Sequence, residues 1–183
     1  NCNLLCSSLE QSSAAGLYVL GGCTGNLFEN LSVSNSYYGI RLEGNAPQSD
    51  SGNVVRSCSI QNVRTGLYVA RQRAGALTAQ DTVKITRNRI LGGQSSGTLY
   101  GLSSSAGAGA VIIDNSFFGN WTLTGSGYLY GLHVLSGQVY SVFNSFDLND
   151  ISGSATVIGV YGGGASAMLH LHNSILRVAE SQN

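Results

Sequence analysis

The sequence of 183 residues carries nine basic and nine acidic side chains, so its formal net charge is zero, and only 10% of its residues are charged. A neutral chain without a nucleic-acid-binding motif is not expected to bind nucleic acid. A hydrophobic fraction of 43% argues against disorder, and no apolar run approaches the roughly 18 residues of a membrane-spanning helix. We therefore expect one folded domain over residues 1–183, with no membrane span.

All four cysteines lie in the first third of the chain, at Cys2, Cys6, Cys23 and Cys58. No Cys-x-x-Cys pair accompanies them, so a zinc site is not expected. Two alternatives remain: they are buried thiols at stacked core positions, or they form disulfides that tie down the N-terminal end in an oxidising compartment. If the protein is secreted, the favoured bridge joins Cys6 and Cys23, which flank the first glycine-headed segment.

Six short segments begin with glycine, and "GLYV" itself occurs twice, at 16–19 and at 66–69. The six glycines are Gly16, Gly39, Gly66, Gly101, Gly131 and Gly159. The residue after each glycine is aliphatic and the next one is mixed, which is the period-two alternation of a half-buried strand. No segment has a convincing helical period with caps, so we expect an all-β fold.

Asparagines recur between these segments at similar intervals. Asn115 and Asn144 are 29 residues apart, Asn144 and Asn173 are 29 apart, and Asn88 precedes Asn115 by 27. A period of 20–50 residues indicates a repeat architecture, and three apolar strands per repeat predict a single-stranded parallel β-helix of about six coils. Asn88, Asn115, Asn144 and Asn173 should stack as a hydrogen-bonded ladder at one turn, with Cys58 and Leu31 there in earlier coils.

The stretch "VKITRNRILGG…GTLYGL" combines an apolar strand, an N-x-I turn and a glycine-headed strand. It resembles the right-handed parallel β-helix repeat families, the pectate-lyase-like superfamily in the broad sense, over roughly residues 10 to 178. The resemblance implies a right-handed β-helix. These families include polysaccharide lyases, hydrolases, phage tailspikes, adhesins and structural surface proteins, so the resemblance specifies a fold and not an activity.

Three successive repeats carry insertions, which follow Asn88, Asn115 and Asn144 and include the sole tryptophan, Trp121. Insertions on one face of a solenoid often form its binding face. Alternatively, they widen the cross-section of the coil or lengthen its strands, and bind nothing.

The resemblance implies that a lyase would need an acidic calcium site with a basic residue, and that a hydrolase would need neighbouring aspartates. The closest late pair is Asp147 and Asp150, and the other motifs of the hydrolases are absent. His170 and His172 share one face of a strand but have no evident third metal ligand. We therefore expect no catalytic, cofactor-binding or metal site and no cofactor, and the interpretation leans against an enzyme.

Aromatic residues occupy the same place in three glycine-headed segments, at Tyr18, Tyr68 and Tyr161, in one outward column with Arg41 and His133. These tyrosines and Trp121 are the candidates for stacking on sugar rings. The competing interpretation is that the rings of the column stack on one another and stiffen the sheet.

Few charges and abundant Ser, Asn, Gly and Tyr are typical of an extracellular surface, so we expect a secreted or cell-surface protein. Neither end of the sequence offers a polar cap or a capping helix. We expect the coil to continue by end-to-end self-association or in further coils of the same chain. The predicted function is a non-enzymatic structural β-helix, a building block of a surface fibre, filament, stalk or adhesin. The alternative is a carbohydrate-binding or carbohydrate-cleaving β-helix, tailspikes included, with glycans as partners.

Overall fold

A computed structural model of the chain describes residues 2–8, 13–44, 51–72, 82–148, 150–151 and 155–178, and at 2–8, 106, 108 and 150–151 it describes the backbone alone. Within these ranges there are eighteen strands and no helix. Each strand pairs in parallel with the equivalent strand of the next coil. The predicted all-β parallel β-helix is therefore confirmed.

The strands stack in three columns, of which the first opens each coil. Its members are β1 (Cys2–Ser8), the first half of β4 (Leu31–Glu43), the first half of β6 (Ser59–Ala70), β8 (Arg89–Gly92), β11 (Phe117–Gly119), β14 (Ser145–Leu148) and β18 (Ile175–Val178). Five successive pairings run from Ser32 through Ser59, Arg89, Phe117 and Ser145 to Ile175. The stack thus makes about five turns over this range, and β1 adds a further layer on β4.

The second column contains the glycine-headed segments. Its members are β2 (Ala15–Leu20), the second halves of β4 and β6, the first part of β10 (Leu99–Asp114), the first part of β13 (Tyr128–Val142) and β16 (Thr156–Gly162). All six repeat glycines fall in one register, because Leu17, Ile40, Leu67, Leu102, Leu132 and Val160 pair in succession.

Glycine recurs because two parts of the coil meet at this column. A Cβ atom on Gly66 would lie 2.4 Å from Cγ2 of Ile90 and 2.6 Å from the carbonyl oxygen of Gly101. Only a residue without a Cβ lets the second column pass so close to core side chains of the first.

The third column closes each coil. Its members are β3 (Leu27–Glu29), β5 (Val54–Arg56), β7 (Val83–Thr86), the last parts of β10 and β13, and β17 (Ala167–His172). Side chains from all three columns fill the interior. Val33, Ile60, Ile90, Phe118 and Phe146 lie one above another in the first column, each at most 2% exposed. Burial of each such side chain contributes about 1.5–3 kcal/mol.

The three insertions form a small parallel sheet of their own, with strands β9 (Gln94–Ser95), β12 (Thr122–Leu123) and β15 (Asp150–Ile151). Trp121 and Leu123 are fully buried inside it. Gly92 leaves the space for the indole, because a Cβ on Gly92 would lie 2.0 Å from Cγ of Trp121. The insertions therefore widen the cross-section of the coil.

The asparagine ladder exists, but half of its predicted members are wrong. Asn144 Oδ1 accepts a hydrogen bond from the backbone N–H of Ser116 at 2.8 Å, and its Nδ2 donates to the Ile113 carbonyl at 2.9 Å. Asn88 does the same with the N–H of Cys58 and the carbonyl of Val55. The ladder position of successive coils therefore reads Leu31, Cys58, Asn88, Ser116, Asn144 and Ser174.

Asn115 and Asn173 instead occupy the corner one residue earlier. Both side chains are exposed, and both backbones have positive φ angles, 47° and 48°. The same corner has positive φ in every coil, at Asn30, Ser57, Arg87, Asn115, Phe143 and Asn173. Asparagine tolerates this left-handed conformation better than most residues. The asparagine of an Asn-Ser-apolar tripeptide can therefore occupy either the corner or the ladder position. Along the ladder position, Ser116 and Asn144 are 28 residues apart, and positions 144 and 174 are 30 apart. The equal intervals of 29 between Asn115, Asn144 and Asn173 therefore join two different positions of the coil.

The cysteines agree with the buried-thiol alternative at one position. Cys58 is 2% exposed at the ladder position, and burial raises the pKa of its thiol. Cys23 is half-buried, with its sulfur 3.6 Å from the Leu20 carbonyl oxygen. The side chains of Cys2 and Cys6 lie outside the described residues, so the Cys6–Cys23 bridge stays a prediction.

Replacing Asn144 by alanine should lower the free energy of unfolding by about 2–4 kcal/mol, because it leaves the buried N–H of Ser116 and the buried Ile113 carbonyl without partners. Asn115→Gly is the matched control. It retains the left-handed corner and should cost less than about 1 kcal/mol. Urea denaturation measures both, and equal losses would contradict the ladder assignment.

Gly131→Ala should destabilise the stack by about 1–3 kcal/mol or prevent folding, because its Cβ would lie 2.6 Å from the Gly159 carbonyl oxygen and 3.3 Å from Phe146. Gly162→Ala, also in the second column, meets no atom within 4 Å and should be nearly neutral. Thermal unfolding followed by circular dichroism compares the two, and a neutral Gly131→Ala would refute the close-approach explanation.

Candidate functional site

The outer surface of the second column carries a continuous group of aromatic and basic side chains, which we call the aromatic face. It consists of Tyr18, Tyr37, Tyr38, Arg41, Arg64, Tyr68, Tyr100, Tyr128, Tyr130, His133 and Tyr161. Successive coils bring these residues together because outward positions of parallel strands stack like their inward positions.

In the N-terminal half of the aromatic face the rings surround a guanidinium group. Arg41 lies over the rings of Tyr18, Tyr38 and Tyr68, at 4.7, 5.0 and 5.5 Å from their centroids. Its Nε also donates to Glu43 Oε2 at 2.8 Å, and the Tyr18 hydroxyl donates to the same oxygen at 3.2 Å. The charge of Arg41 is thus balanced by Glu43, and the rings around it offer a ligand aromatic surfaces.

In the C-terminal half an imidazole takes the central place. The His133 ring stacks on Tyr161 with 5.2 Å between centroids, and tilts against Tyr130 and Tyr100 at 4.7 and 5.0 Å. Its Nδ1 lies 3.4 Å from Ser103 Oγ. Burial among these rings lowers the pKa of His133 and raises the pKa of Tyr100 and Tyr130. Burial thus favours the uncharged forms of all three side chains.

Of the four predicted sugar-stacking residues, three lie on this face. Tyr18 and Tyr161 are 44% and 38% exposed, while Tyr68 is partly covered. Trp121 is wrong as a surface residue, because it points inward at the widened corner and is fully buried. The rings contact one another, as the second interpretation of the column expected, and their exposed edges and faces remain open to stacking.

Sequence reasoning missed most of the aromatic face. Tyr38, Tyr100 and Tyr130 each stand directly before a repeat glycine, so a "YG" pair was the available signal. Tyr100 and Tyr130 stack nearly parallel, with 5.4 Å between centroids and 7° between planes. Outward residues before the glycine therefore contribute as much to the face as those after it.

A second candidate surface is a polar groove of about 340 Å³ at the corner between the first and second columns. Its hydrogen-bonding side chains are all uncharged, at Ser34, Asn35, Gln61, Asn62, Gln94, Asn120 and Thr122. The corner has positive φ at Asn35, Asn62 and Asn120, and Asn62 Nδ2 donates to Asn35 Oδ1 at 2.5 Å. Such a groove suits a neutral ligand with many hydroxyl or amide groups.

The acidic residues considered for catalysis lie apart from the aromatic face. Asp147 projects outward from β14, 4.0 Å from Arg177 in the next layer, and the side chain of Asp150 is outside the described residues. His170 stacks on Tyr140 at 4.4 Å, and His172 is exposed beside it. Among the described side chains, no three of His, Cys, Asp and Glu are grouped as metal ligands are.

In the described ranges no helix has the length and hydropathy to cross a membrane.

The environment of His133 gives a pH dependence with a definite sign. Its pKa is lowered in the folded protein, so the unfolded chain, with a pKa of about 6.5, binds the proton more strongly. The stability that this adds above pH 6.5 is lost as pH falls through that value towards the folded pKa. We expect Tm to fall between about pH 7.5 and 5.5, and His133→Gln to reduce this slope. An unchanged slope in the variant would show that other groups cause it.

A family model described as "Right handed beta helix region" matches residues 1–151. Neither the curated proteins nor the solved structures contained a match. The family match covers most of the chain and agrees with three stacked columns of parallel strands, so this chain belongs to the right-handed β-helix family.

Proposed function

We propose that this protein is a non-enzymatic structural β-helix of the extracellular space, a building block of a surface fibre, filament, stalk or adhesin. In this proposal its units stack end to end, so that the β-helix continues from one copy into the next. The observation that carries the proposal is the exposed apolar layer at the C-terminal side of the stack.

That layer contains β16, β17 and β18, and its inward side chains lack a covering layer among the described residues. Leu171, Leu176 and Val178 are 49%, 47% and 41% exposed. The residues that pair with them one layer below, at Ser141, Phe146 and Leu148, are at most 2% exposed. The positions are equivalent, and the difference follows from the lack of a covering layer among the described residues. Exposed apolar surface of this kind favours association.

A second copy of the chain fits as the cover because the repeat register continues. β2 contains Gly16, Leu17 and Tyr18, and β16 contains Gly159, Val160 and Tyr161. Stacking one on the other therefore extends both the glycine and the tyrosine columns. In the layer of β2 and β3, the inward side chains of Leu17 and Phe28 are likewise only partly buried. Such a head-to-tail contact does not close on itself and therefore produces a filament.

The use of the carboxylates supports a non-enzymatic role. Glu29 accepts from Arg56 at 2.6 Å, and Glu43 accepts from Arg41. Asp114 Oδ1 accepts from Asn115 Nδ2 at 2.7 Å. These acidic groups hold neighbouring residues in place, where a glycosidase would need two carboxyls facing one sugar.

Sedimentation velocity and electron microscopy of the 183-residue chain test the assembly. We expect association that increases with concentration, and we expect Leu176→Lys to give folded monomers because it places a charge in the buried junction. Ile175→Lys is the matched control: Ile175 is 68% exposed and points outward from the same strand, so the variant should still assemble. A wild-type chain that stays monomeric at high concentration would refute stacking between copies.

A second candidate function, carbohydrate binding, is favoured by the aromatic face. Tyr18, Tyr128 and Tyr161 are each more than a third exposed, and exposed tyrosine rings stack on sugars. A glycan array would give a signal that Tyr161→Ala weakens and Tyr140→Ala, outside this face, leaves unchanged. Turnover of an acidic polysaccharide that Asp147→Asn abolishes would instead overturn the non-enzymatic proposal.

A further inference from the structure

Two asparagines of this chain lie in the tripeptide Asn-x-Ser/Thr, with x other than proline. They are Asn30 in "NLS" (30–32) and Asn120 in "NWT" (120–122). No other asparagine of the 183 residues is followed two positions later by Ser or Thr. This tripeptide is the acceptor for N-linked glycans in secreted proteins.

The two tripeptides adopt the same local arrangement at two different corners of the coil. Asn30 and Asn120 are exposed and have left-handed backbones, with φ angles of 55° and 60°. The middle residue packs inward in both, Leu31 at the ladder position and Trp121 fully buried. The hydroxyl residues, Ser32 and Thr122, follow as the chain enters the next strand.

Exposure separates these two asparagines from three others. Asn53, Asn88 and Asn144 are buried at 3% exposure or less. Asn115 is exposed, but its side-chain amide is held by Asp114. Among the described residues no hydrogen bond holds the side-chain amide of Asn30 or Asn120.

The surroundings of Asn120 also suit a sugar. It lines the polar groove together with Asn35, Asn62 and Gln94, whose amide groups can donate to and accept from sugar hydroxyls. Neither Asn30 nor Asn120 belongs to the aromatic face. Asn120 lies in an inner coil, whereas Asn30 directly follows β3, so a glycan on Asn30 lies at the rim of the proposed junction between copies.

We propose that Asn30 and Asn120 are acceptor sites for N-linked glycans, an inference that rests on the proposed extracellular location. The side-chain nitrogen bonds to C1 of a sugar supplied by a lipid-pyrophosphate-linked oligosaccharide. The bond from C1 to the pyrophosphate oxygen breaks, the pyrophosphate leaves with the electron pair, and the amide nitrogen loses one proton. Nothing is oxidised or reduced.

The test uses the full chain behind a cleavable secretion signal in eukaryotic cells, with both the medium and the secretory lumen collected. Peptide N-glycosidase in ¹⁸O water converts each glycosylated asparagine to labelled aspartate, which peptide mass spectrometry locates. We expect label at Asn30 and Asn120. Asn173, which is exposed at the same corner as Asn30 but has Ile175 two positions later, should stay unlabelled. Asn62, at the same corner as Asn120, has Arg64 there and should also stay unlabelled.

Substitutions of the two hydroxyl residues distinguish an effect on the acceptor tripeptide from an effect on folding. Thr122→Ala and Ser32→Ala should each remove one glycan, while Thr122→Ser and Ser32→Thr should retain it. Removal of the glycans should leave the circular dichroism spectrum unchanged, because both attachment points face solvent.

Each result decides one claim. A chain that is secreted and folded but unlabelled at both asparagines overturns the acceptor sites and leaves the extracellular proposal standing. Label at one asparagine alone overturns the other site. If the chain is retained in the cell, its lumenal fraction is digested in the same way, and the absence of label at both asparagines there also overturns the acceptor sites.

Discussion

Parallel pairing of equivalent positions in successive coils is the constraint on which the whole structure depends. Neighbouring strands of a sheet lie about 4.8 Å apart, so each side chain contacts the side chain at the same place one coil away. Each side chain must therefore pack against the equivalent side chains of the coils above and below, as well as within its own coil. Glycine meets this condition at all six heads of the second column, where a Cβ on Gly66 or Gly131 would contact the carbonyl oxygen of the next glycine.

The same constraint organises the exterior. Outward positions form columns as regular as those of the core, which is how Tyr100 stacks on Tyr130 and His133 on Tyr161 across coils 30 and 28 residues long. It also joins Glu29 to Arg56 between adjacent layers. Such an exposed pair contributes little to stability. The rings contribute more, because each gains contact area on both sides and loses little freedom.

How much the sequence predicts follows from the same repetition. The glycine register was predictable because close approach recurs in every coil and admits one residue type. The ladder was only half predictable, because the corner preceding it also favours asparagine, and a tripeptide such as that of Asn115 does not tell the two positions apart. Trp121 was misplaced because the three insertions have no sequence pattern in common, so no repeat gave its direction. Tyr38, Tyr100 and Tyr130 were missed because the alternation was counted forward from each glycine and not backward.

The half-covered leucines of the last layer have a consequence for how the molecule comes apart. Each layer contacts only its neighbours, so the free energy of local unfolding differs from layer to layer along the axis of a solenoid. Amide hydrogens in β16, β17 and β18 pair on one side alone among the described strands, and their exchange with solvent requires the loss of one interface. Amides in β10 and β13 lie beneath further layers, so their exchange requires the loss of more than one interface between layers. Protection should therefore rise from the open layer inward, and any unit that stacks on that layer would move the most labile point of the chain elsewhere.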